Sequence, residues 1–284
     1  MLRIAIGFLL AFALLQTSPA AAQDKASDRK LEELMHKSGM WKQLAQMEPM
    51  VQMGIAQAFE QGRGKPSGLD EIGLARLKAA GASAFEANRL RREFETEMAR
   101  ELSPADEREV LVWLSTDLGK RFTVLEEESG EMDAVLKREK EGPAYLASLP
   151  AARVDRFKRL ARAVRIGESG AGIMINTAIG IAYGFALATP PQDTSGVDKL
   201  RQQMEGQRQR MVAAVEASSV EEFAFIYRGV ADADVDRYIA FNETPAGRNY
   251  AAASLKALDK ILTRASLDLG AQLGGPRPEG GRKS

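Results

Sequence analysis

The sequence predicts an all-α protein built of two similar helical units, and three observations support this fold class. Apolar residues recur at steps of three and four along most of the chain, which is the spacing of one helix face. Val, Ile and Thr nowhere alternate with polar residues at the two-residue spacing of a strand. Two helix starts are marked by a capping hydroxyl before a proline, at Ser103-Pro104 and Thr244-Pro245.

The first 22 residues have the layout of a secretory signal peptide. A positive start at Arg3 precedes an uninterrupted apolar run from Ile4 to Leu15, which is too short to span a bilayer. Small residues then stand at Ala20 and Ala22, so we expect cleavage near Ala22. The sequence therefore predicts an exported protein, periplasmic or secreted.

The composition excludes several classes of function. The 284 residues contain 39 Lys and Arg, 39 Asp and Glu, one His and no Cys. A near-neutral chain has no electrostatic drive toward nucleic acid, so no nucleic-acid partner is expected. Metal sites built on several histidines or on cysteines are impossible, as are disulfides. We expect no cofactor and no metal, and a fold held together by packing alone.

The chain repeats itself at an offset of 128 residues. The stretch Leu102–Phe122 (LSPADEREVLVWLSTDLGKRF) aligns without a gap with Val230–Tyr250 (VADADVDRYIAFNETPAGRNY). The same offset pairs Ala151 with Gln23, the first residue after the predicted cleavage position. A duplication of this length predicts two small domains or one pseudo-symmetric domain.

The offset sets the predicted boundaries. The first unit covers 23–150, the second covers 151–269, and a tail rich in Gly and Pro at 270–284 is predicted to be disordered. We expect about six helices per unit, with the junction at Glu141–Pro150, which contains two prolines. The first unit is net acidic and the remainder net basic, which would draw the halves together.

A short motif recurs in the aligned stretches: an aromatic residue, a threonine, a glycine and a second aromatic residue. Its first copy is Trp113, Thr116, Gly119 and Phe122, and its second is Phe241, Thr244, Gly247 and Tyr250 with Asp234 ahead of it. Over Val220–Leu269 this pattern resembles an exported bacterial family of helical proteins, domain of unknown function twenty fifty-nine. A weaker copy covers Phe94–Val135. The resemblance implies an exported helical fold and implies no reaction.

We interpret the motif as structural. The threonine ends one helix and caps the next, and the glycine in the following first turn permits close approach to the previous helix. The aromatic residues then fill the corner. This arrangement would be a tight helical hairpin rather than a ligand site.

Two stretches approach catalytic or metal motifs and fail. Gly167–Ala171 (GESGA) is close to G-x-S-x-G, but a helix precedes it and the only histidine, His36, lies upstream of the serine. Asp232–Glu243 offers acidic residues at several positions of a calcium loop, but Arg237 stands where the loop needs glycine. We expect a helix there, with Asp232 and Asp234 as first-turn acids favoured by the helix dipole.

Two charge runs are predicted to be solvated surface. The acidic run is Glu126, Glu127, Glu128 and Glu131, and the basic run is Arg89, Arg91 and Arg92. Charge runs on helices usually form exposed faces.

The uncharged stretch Ala171–Thr189 is long enough to span a membrane. At the 128-residue offset, Gly170–Thr189 pairs with Lys42–Gln61, which is amphipathic and contains Glu48 and so cannot be a span. We therefore expect the stretch to be the central buried helix of the second unit with both faces covered. Gly180 and Gly184 would let a neighbouring helix come close.

These observations leave three classes of function. The leading one is an exported, non-enzymatic protein that binds a protein partner or an apolar ligand between its units. Methionines of the second helix could line an apolar groove, although core packing is their expected role: Met40, Met47, Met50 and Met53. The alternatives are a membrane-associated protein using the 169–189 segment, and an enzyme working through carboxylates alone, such as a glycan hydrolase.

Overall fold

The computed structural model describes residues 30–62, 71–189 and 191–274, and all regular structure in these ranges is helical. The all-α prediction is confirmed. The predicted signal peptide lies outside the described residues. The thirteen helices of the described ranges are α1 (Leu31–Lys37), α2 (Met40–Gly62), α3 (Glu71–Ala84), α4 (Ala87–Glu101), α5 (Pro104–Ser115), α6 (Asp117–Ser129), α7 (Met132–Ala147), α8 (Ala151–Ala163), α9 (Ile166–Ala188), α10 (Ser195–Gly206), α11 (Arg208–Ile226), α12 (Asp232–Asn242) and α13 (Pro245–Gly274).

A break between two helices lies at residues 148–150. Seven helices end before residue 150 and six begin at or after residue 151. Most of the predicted junction, Glu141–Pro150, continues α7, which accommodates Pro143 within the helix, and the break follows at residues 148–150. The final helix α13 runs to Gly274, five residues into the predicted tail, and 275–284 lie outside the described residues.

The buried side chains of both predicted units belong to one core. Phe94 and Phe122 of the first unit lie in the same cluster as Phe157, Phe223 and Tyr227 of the second. The helix α13 packs against α3, α4 and α5 as well as against α9. The two halves therefore share an interior instead of forming separate cores. A small second cluster, between α9 and α10, contains Ile175, Ile179 and Val197.

The closest helix pair is α9 with α13. A Cβ atom added at Gly184 would lie 2.1 Å from the Leu267 carbonyl oxygen, and one added at Gly270 would lie 2.1 Å from the Ile181 carbonyl oxygen. Positions that rise along α9 meet positions that rise along α13, so the two helices run parallel. Small residues on both faces let the backbones touch, as the Gly180-x-x-x-Gly184 spacing predicts.

The prediction that α9 is covered on both faces is wrong. Near its C-terminal end Tyr183, Phe185 and Leu187 are between 41% and 47% exposed. By length and composition α9 could cross a membrane, and a third of its most apolar window is buried. It is attached by α10, α11 and α13, and the Asn176 amide donates a 2.7 Å hydrogen bond to Asp259. The helix α9 is thus packed against three other helices and exposes one apolar face to solvent.

Ion pairs join the halves where α4 crosses α13. The central group is the carboxylate of Glu97, whose side chain is 1% exposed. It lies 2.8 Å from the Lys260 ammonium, 2.6 Å from the Arg264 guanidinium and 3.1 Å from that of Arg100. Hydrogen bonds from Lys260 and Arg264 lower the pKa of Glu97 to about 2.

Glu97→Ala is expected to lower the free energy of unfolding by about 2 kcal/mol at pH 7. The figure is below that of a fully buried pair because Lys260 and Arg264 are half-exposed and regain water. The Glu97 carboxylate contributes stability above pH 4.5, and that contribution is lost as the pH falls toward 2. Urea unfolding measures both effects. Glu95→Ala, at an exposed position of the same helix, is the control, and an equal loss in both variants would contradict the prediction.

Candidate functional site

The two copies of the sequence motif fold into two helix corners of the same local geometry. In the first corner the Thr116 hydroxyl donates to the Trp113 carbonyl at 2.7 Å and accepts from the Gly119 amide at 3.0 Å. In the second, Thr244 makes the corresponding bonds to Phe241 at 2.8 Å and Gly247 at 3.0 Å. Each threonine therefore caps the helix that follows it.

The glycines of the corners are required by close backbone contact. A Cβ atom at Gly119 would lie 2.3 Å from the Trp113 carbonyl oxygen, and one at Gly247 would lie 2.2 Å from that of Phe241. Any larger residue would force the two helices of a corner apart. The geometry of each corner is that of the predicted tight hairpin.

The corners meet through their aromatic residues. The rings of Trp113 and Phe241, which occupy matching motif positions, stack with centroids 4.6 Å apart and planes 7° apart. The second motif aromatic of the first corner, Phe122, packs against Tyr238 at 4.2 Å. Tyr250 lies partly buried against the same core. The motif aromatics thus build the contact between the two halves.

A buried carboxyl group lies beneath this aromatic contact. Glu126 of α6 is 7% exposed and accepts hydrogen bonds at Oε1 from the Tyr227 hydroxyl at 2.7 Å and the Tyr238 hydroxyl at 2.8 Å. No described residue donates to its Oε2. Burial raises the pKa of Glu126 to about 7, and the two tyrosine bonds offset part of that rise.

Burial also raises the pKa of the two tyrosines that donate to Glu126. Desolvation and the neighbouring carboxylate raise the pKa of both Tyr227 and Tyr238 well above the ordinary value, so both hydroxyls keep their protons and act as donors. Both tyrosines belong to the second half and Glu126 to the first. The hydrogen bonds between Glu126 and the two tyrosines therefore connect the two halves within the shared core.

A second buried carboxylate lies on α11. Glu222 is 5% exposed, and its Oε1 lies 2.8 Å from the guanidinium of Arg138 on α7. Burial raises the pKa of Glu222 to about 7, with Arg138 opposing the rise. Arg138 also donates to the Ser129 carbonyl at 3.4 Å. The Arg138–Glu222 pair therefore links α7 to α11.

Two cavities and one cleft lie beside the buried carboxyl groups of Glu126 and Glu222. The aromatic cavity, of about 50 Å³, is bordered by Trp113, Phe122, Glu126, Tyr238, Phe241 and Tyr250. The methionine cavity, of about 40 Å³, is bordered by Met47, Met50, Met53, Met132, Glu126 and Glu222. The α7–α11 cleft, of about 300 Å³, is bordered by Leu125, Glu128, Ser129, Ala134, Lys137, Arg138, Phe225, Ile226, Arg228 and Gly229. Glu126 borders both the aromatic cavity and the methionine cavity, and Arg138 borders both the methionine cavity and the α7–α11 cleft. The three spaces are therefore adjacent.

The aromatic cavity holds an unpaired donor. The indole Nε1 of Trp113 is buried, and no described residue accepts its proton. With the free Oε2 of Glu126, the cavity presents one donor and one carboxyl oxygen. A space of this size suits one or a few water molecules, which would satisfy both groups.

The acidic residues of the second motif copy lie on the surface of α12. Asp232 and Asp234 stand in its first turn, as expected. Asp232 pairs with Arg153 and Arg156 of α8, and Asp234 lies 3.6 Å from Arg121. Helical backbone and arginine partners leave no calcium loop in this stretch.

The residues that approached a serine-hydrolase motif, His36 and Gly167–Ala171, lie on different helices. His36, at the end of α1, stacks on the Trp41 ring at 4.3 Å. Gly167–Ala171 lies in the first turns of α9, where no strand leads into it.

The predicted charge patches need one correction. Glu126 is buried, so its assignment to a solvated acidic run is wrong; Glu131, in contrast, is exposed. Arg89 hydrogen bonds with Glu93 and Asp268, and Arg91 lies 4.3 Å over the Trp41 ring. Both arginines therefore have partners in the fold.

The inward position of the two carboxyl groups that border the cavities was missed from the sequence. Glu126 follows Gly119 and Phe122 at steps of three and four, which places it on the buried face of α6. Glu222 lies within the apolar stretch that ends α11. The helical spacing could have identified both carboxylates.

Comparison with models of protein families, with curated proteins and with solved structures finds no match.

Proposed function

We propose that this protein is an exported, non-enzymatic binding protein that holds a small apolar ligand bearing an anionic group in the α7–α11 cleft. The observation that carries the proposal is the lining of the cleft. Its volume of about 300 Å³ is at the lower end of the range for small-molecule sites. It lies between helices of the first half and the end of α11, where a ligand would contact both halves.

The floor of the cleft is apolar, and the exposed charges at its mouth are two basic side chains, Lys137 and Arg228, and one acidic side chain, Glu128. Leu125, Phe225 and Ile226 supply the apolar surface. Lys137 and Arg228 are exposed at the rim, and the Arg228 guanidinium lies 4.4 Å from the centroid of the Phe225 ring. That contact holds a positive charge beside an apolar floor. An apolar chain with a carboxylate would match both features.

We also propose that the chain arose by duplication and is related to the family that it resembles. We infer that the halves descend from one helical unit, and the matching corners and the Trp113–Phe241 stack support this. Export rests on the predicted signal peptide alone. Membrane association through α9 is the second candidate, favoured by the open face at Tyr183, Phe185 and Leu187.

Decanoate binding, followed by calorimetry, tests the cleft. Gly229 lines the cleft, and a Cβ atom added there meets nothing within 4 Å, so Gly229→Leu introduces an apolar side chain at the mouth of the cleft. We expect it to weaken decanoate binding at least tenfold, roughly the effect of blocking a contact worth 1.4 kcal/mol. Gly206→Leu, which is equally free of neighbours but lies on α10, should leave binding unchanged.

The charge preference is tested with ligands of one chain length. Decanoate should bind more tightly than decanol, and decylamine should bind most weakly, because the rim carries Lys137 and Arg228. Equal affinity for all three would contradict an anionic ligand. Equal affinity of the Gly229→Leu and Gly206→Leu proteins for decanoate would contradict the cleft as the site.

A further inference from the structure

The first observation concerns the methionines of α2. Met47, Met50 and Met53 recur at steps of three, which places them along one side of the helix. All three border the methionine cavity, where they meet Met132 from the first turn of α7. Four thioethers from two helices therefore surround one small space.

Core packing does not account for three of these four residues. The three on α2 are half-buried and Met132 is 40% exposed. Only Met47 packs against the main core, while Met50, Met53 and Met132 do not. A buried methionine of the usual gap-filling kind is Met98, which is 1% exposed. The four side chains instead border the methionine cavity and are partly exposed.

Thioether sulfur is a soft, uncharged ligand that selects soft monovalent ions such as Cu(I). Hard cations such as Ca²⁺ and Mg²⁺ require oxygen ligands in larger number. The methionine cavity holds about 40 Å³, enough for one dehydrated ion and a water-sized group. Its chemistry and its size therefore fit a soft ion.

The charges around the cavity favour a cation. Its wall contains the carboxyl groups of Glu126 and Glu222 and one guanidinium, that of Arg138. Above pH 7, where both carboxyls are ionised, the wall is net negative, since Arg138 neutralises only one of them. The side-chain amides of Gln43 and Gln46 add neutral oxygen atoms. A cation in the cavity would thus be attracted by the wall and bound by sulfur.

The shape around Gln46 is fixed by a glycine. A Cβ atom at Gly130 would lie 2.4 Å from the Gln46 side-chain oxygen, so the absence of a side chain there makes room for the amide. Pro49, between the methionines, lacks the backbone N–H that would bond to the Ala45 carbonyl. This turn of α2 therefore lacks one backbone hydrogen bond.

We propose that the methionine cavity is a thioether site for a soft monovalent cation, Cu(I) or its redox-inert substitute Ag(I). The site is separate from the α7–α11 cleft and does not depend on the ligand proposed for that cleft. No electron transfer is involved, since the ion binds and leaves in one oxidation state.

The test is titration of the purified protein with Ag(I) by calorimetry, and with Cu(I) in competition with a chromogenic chelator. Met50→Leu/Met53→Leu conserves the side-chain volume, so the fold should be retained, as urea unfolding will show. We expect it to weaken Ag(I) binding at least tenfold. Met204→Leu/Met211→Leu, on the α9–α10 cluster, is the matched control and should bind like the unaltered protein.

Absorption spectroscopy at the silver edge should show sulfur neighbours in the unaltered protein. Absence of Ag(I) binding, or equal affinity of both double variants, would overturn the proposal. Gly229→Leu should leave Ag(I) binding unchanged. Failure of this site and failure of the cleft would therefore be seen in different experiments.

Discussion

Gly184→Ala is expected to destabilise the protein by at least about 3 kcal/mol, toward the upper end of what overpacking usually costs. The added Cβ atom would lie 2.1 Å from the Leu267 carbonyl oxygen and 2.8 Å from the Ala271 nitrogen. Both neighbours are backbone atoms of α13, so no side-chain rotation relieves the clash. Relief requires α9 and α13 to separate, which exposes core along both helices.

Gly172→Ala is the control for this substitution. It lies in the same helix, and a Cβ atom there meets only the end of Arg208, at 3.9 Å. We expect a gain of about 0.5–1 kcal/mol, because alanine favours a helix more than glycine does. Chemical unfolding of both variants measures the difference. A similar stability for Gly184→Ala and Gly172→Ala would show that the two backbones are not in contact.

The second large effect concerns pH. The free energy of unfolding is expected to fall by about 3 kcal/mol for Glu126 alone as the pH rises from 4.5 to above 7. The folded state keeps a proton on Glu126 with a pKa of about 7, against 4.5 in the unfolded chain. The stability from this group is complete below pH 4.5 and is lost as the pH passes 7. Glu222 acts in the same direction.

Urea unfolding at pH 5 and pH 8 measures this dependence. Glu126→Gln keeps an acceptor for Tyr227 and Tyr238 but carries no charge at either pH. It should therefore reduce the pH dependence and be more stable than the unaltered protein at pH 8. The control is Glu128→Gln, at an exposed position of the same helix. An unchanged pH dependence in Glu126→Gln would show that Glu126 is ionised in the folded protein.

The helices could be predicted from sequence because their determinants are local. Ser103 and Thr244 each accept a hydrogen bond from an amide in the first turn that follows, as the capping pattern predicts. Apolar spacing identified the buried faces of most helices. The open face of α9 could not be predicted, because it depends on which helices from elsewhere in the chain pack against it.

The candidate site was predictable only in part. The aromatic and glycine motif led to the two corners, since their geometry is set by short-range bonds. The role of Glu126 was missed because an acidic run suggests a surface, whereas helical spacing places its first member inward. The cleft brings together α6, α7 and the end of α11, and no local pattern shows that distant segments will meet.

The position of α13 has a consequence for how the protein acquires its structure. This helix is the last of those described, yet it packs against α3, α4, α5 and α9. Contacts between segments so far apart in sequence carry a large loop-closure entropy and slow folding. Until α13 packs into place, Gly180 and Gly184 of α9 and the carboxylates of Glu97 and Glu101 on α4 lack their contacts with that helix. A chain still being synthesised would therefore remain open until α13 has been made, and would close in a late step.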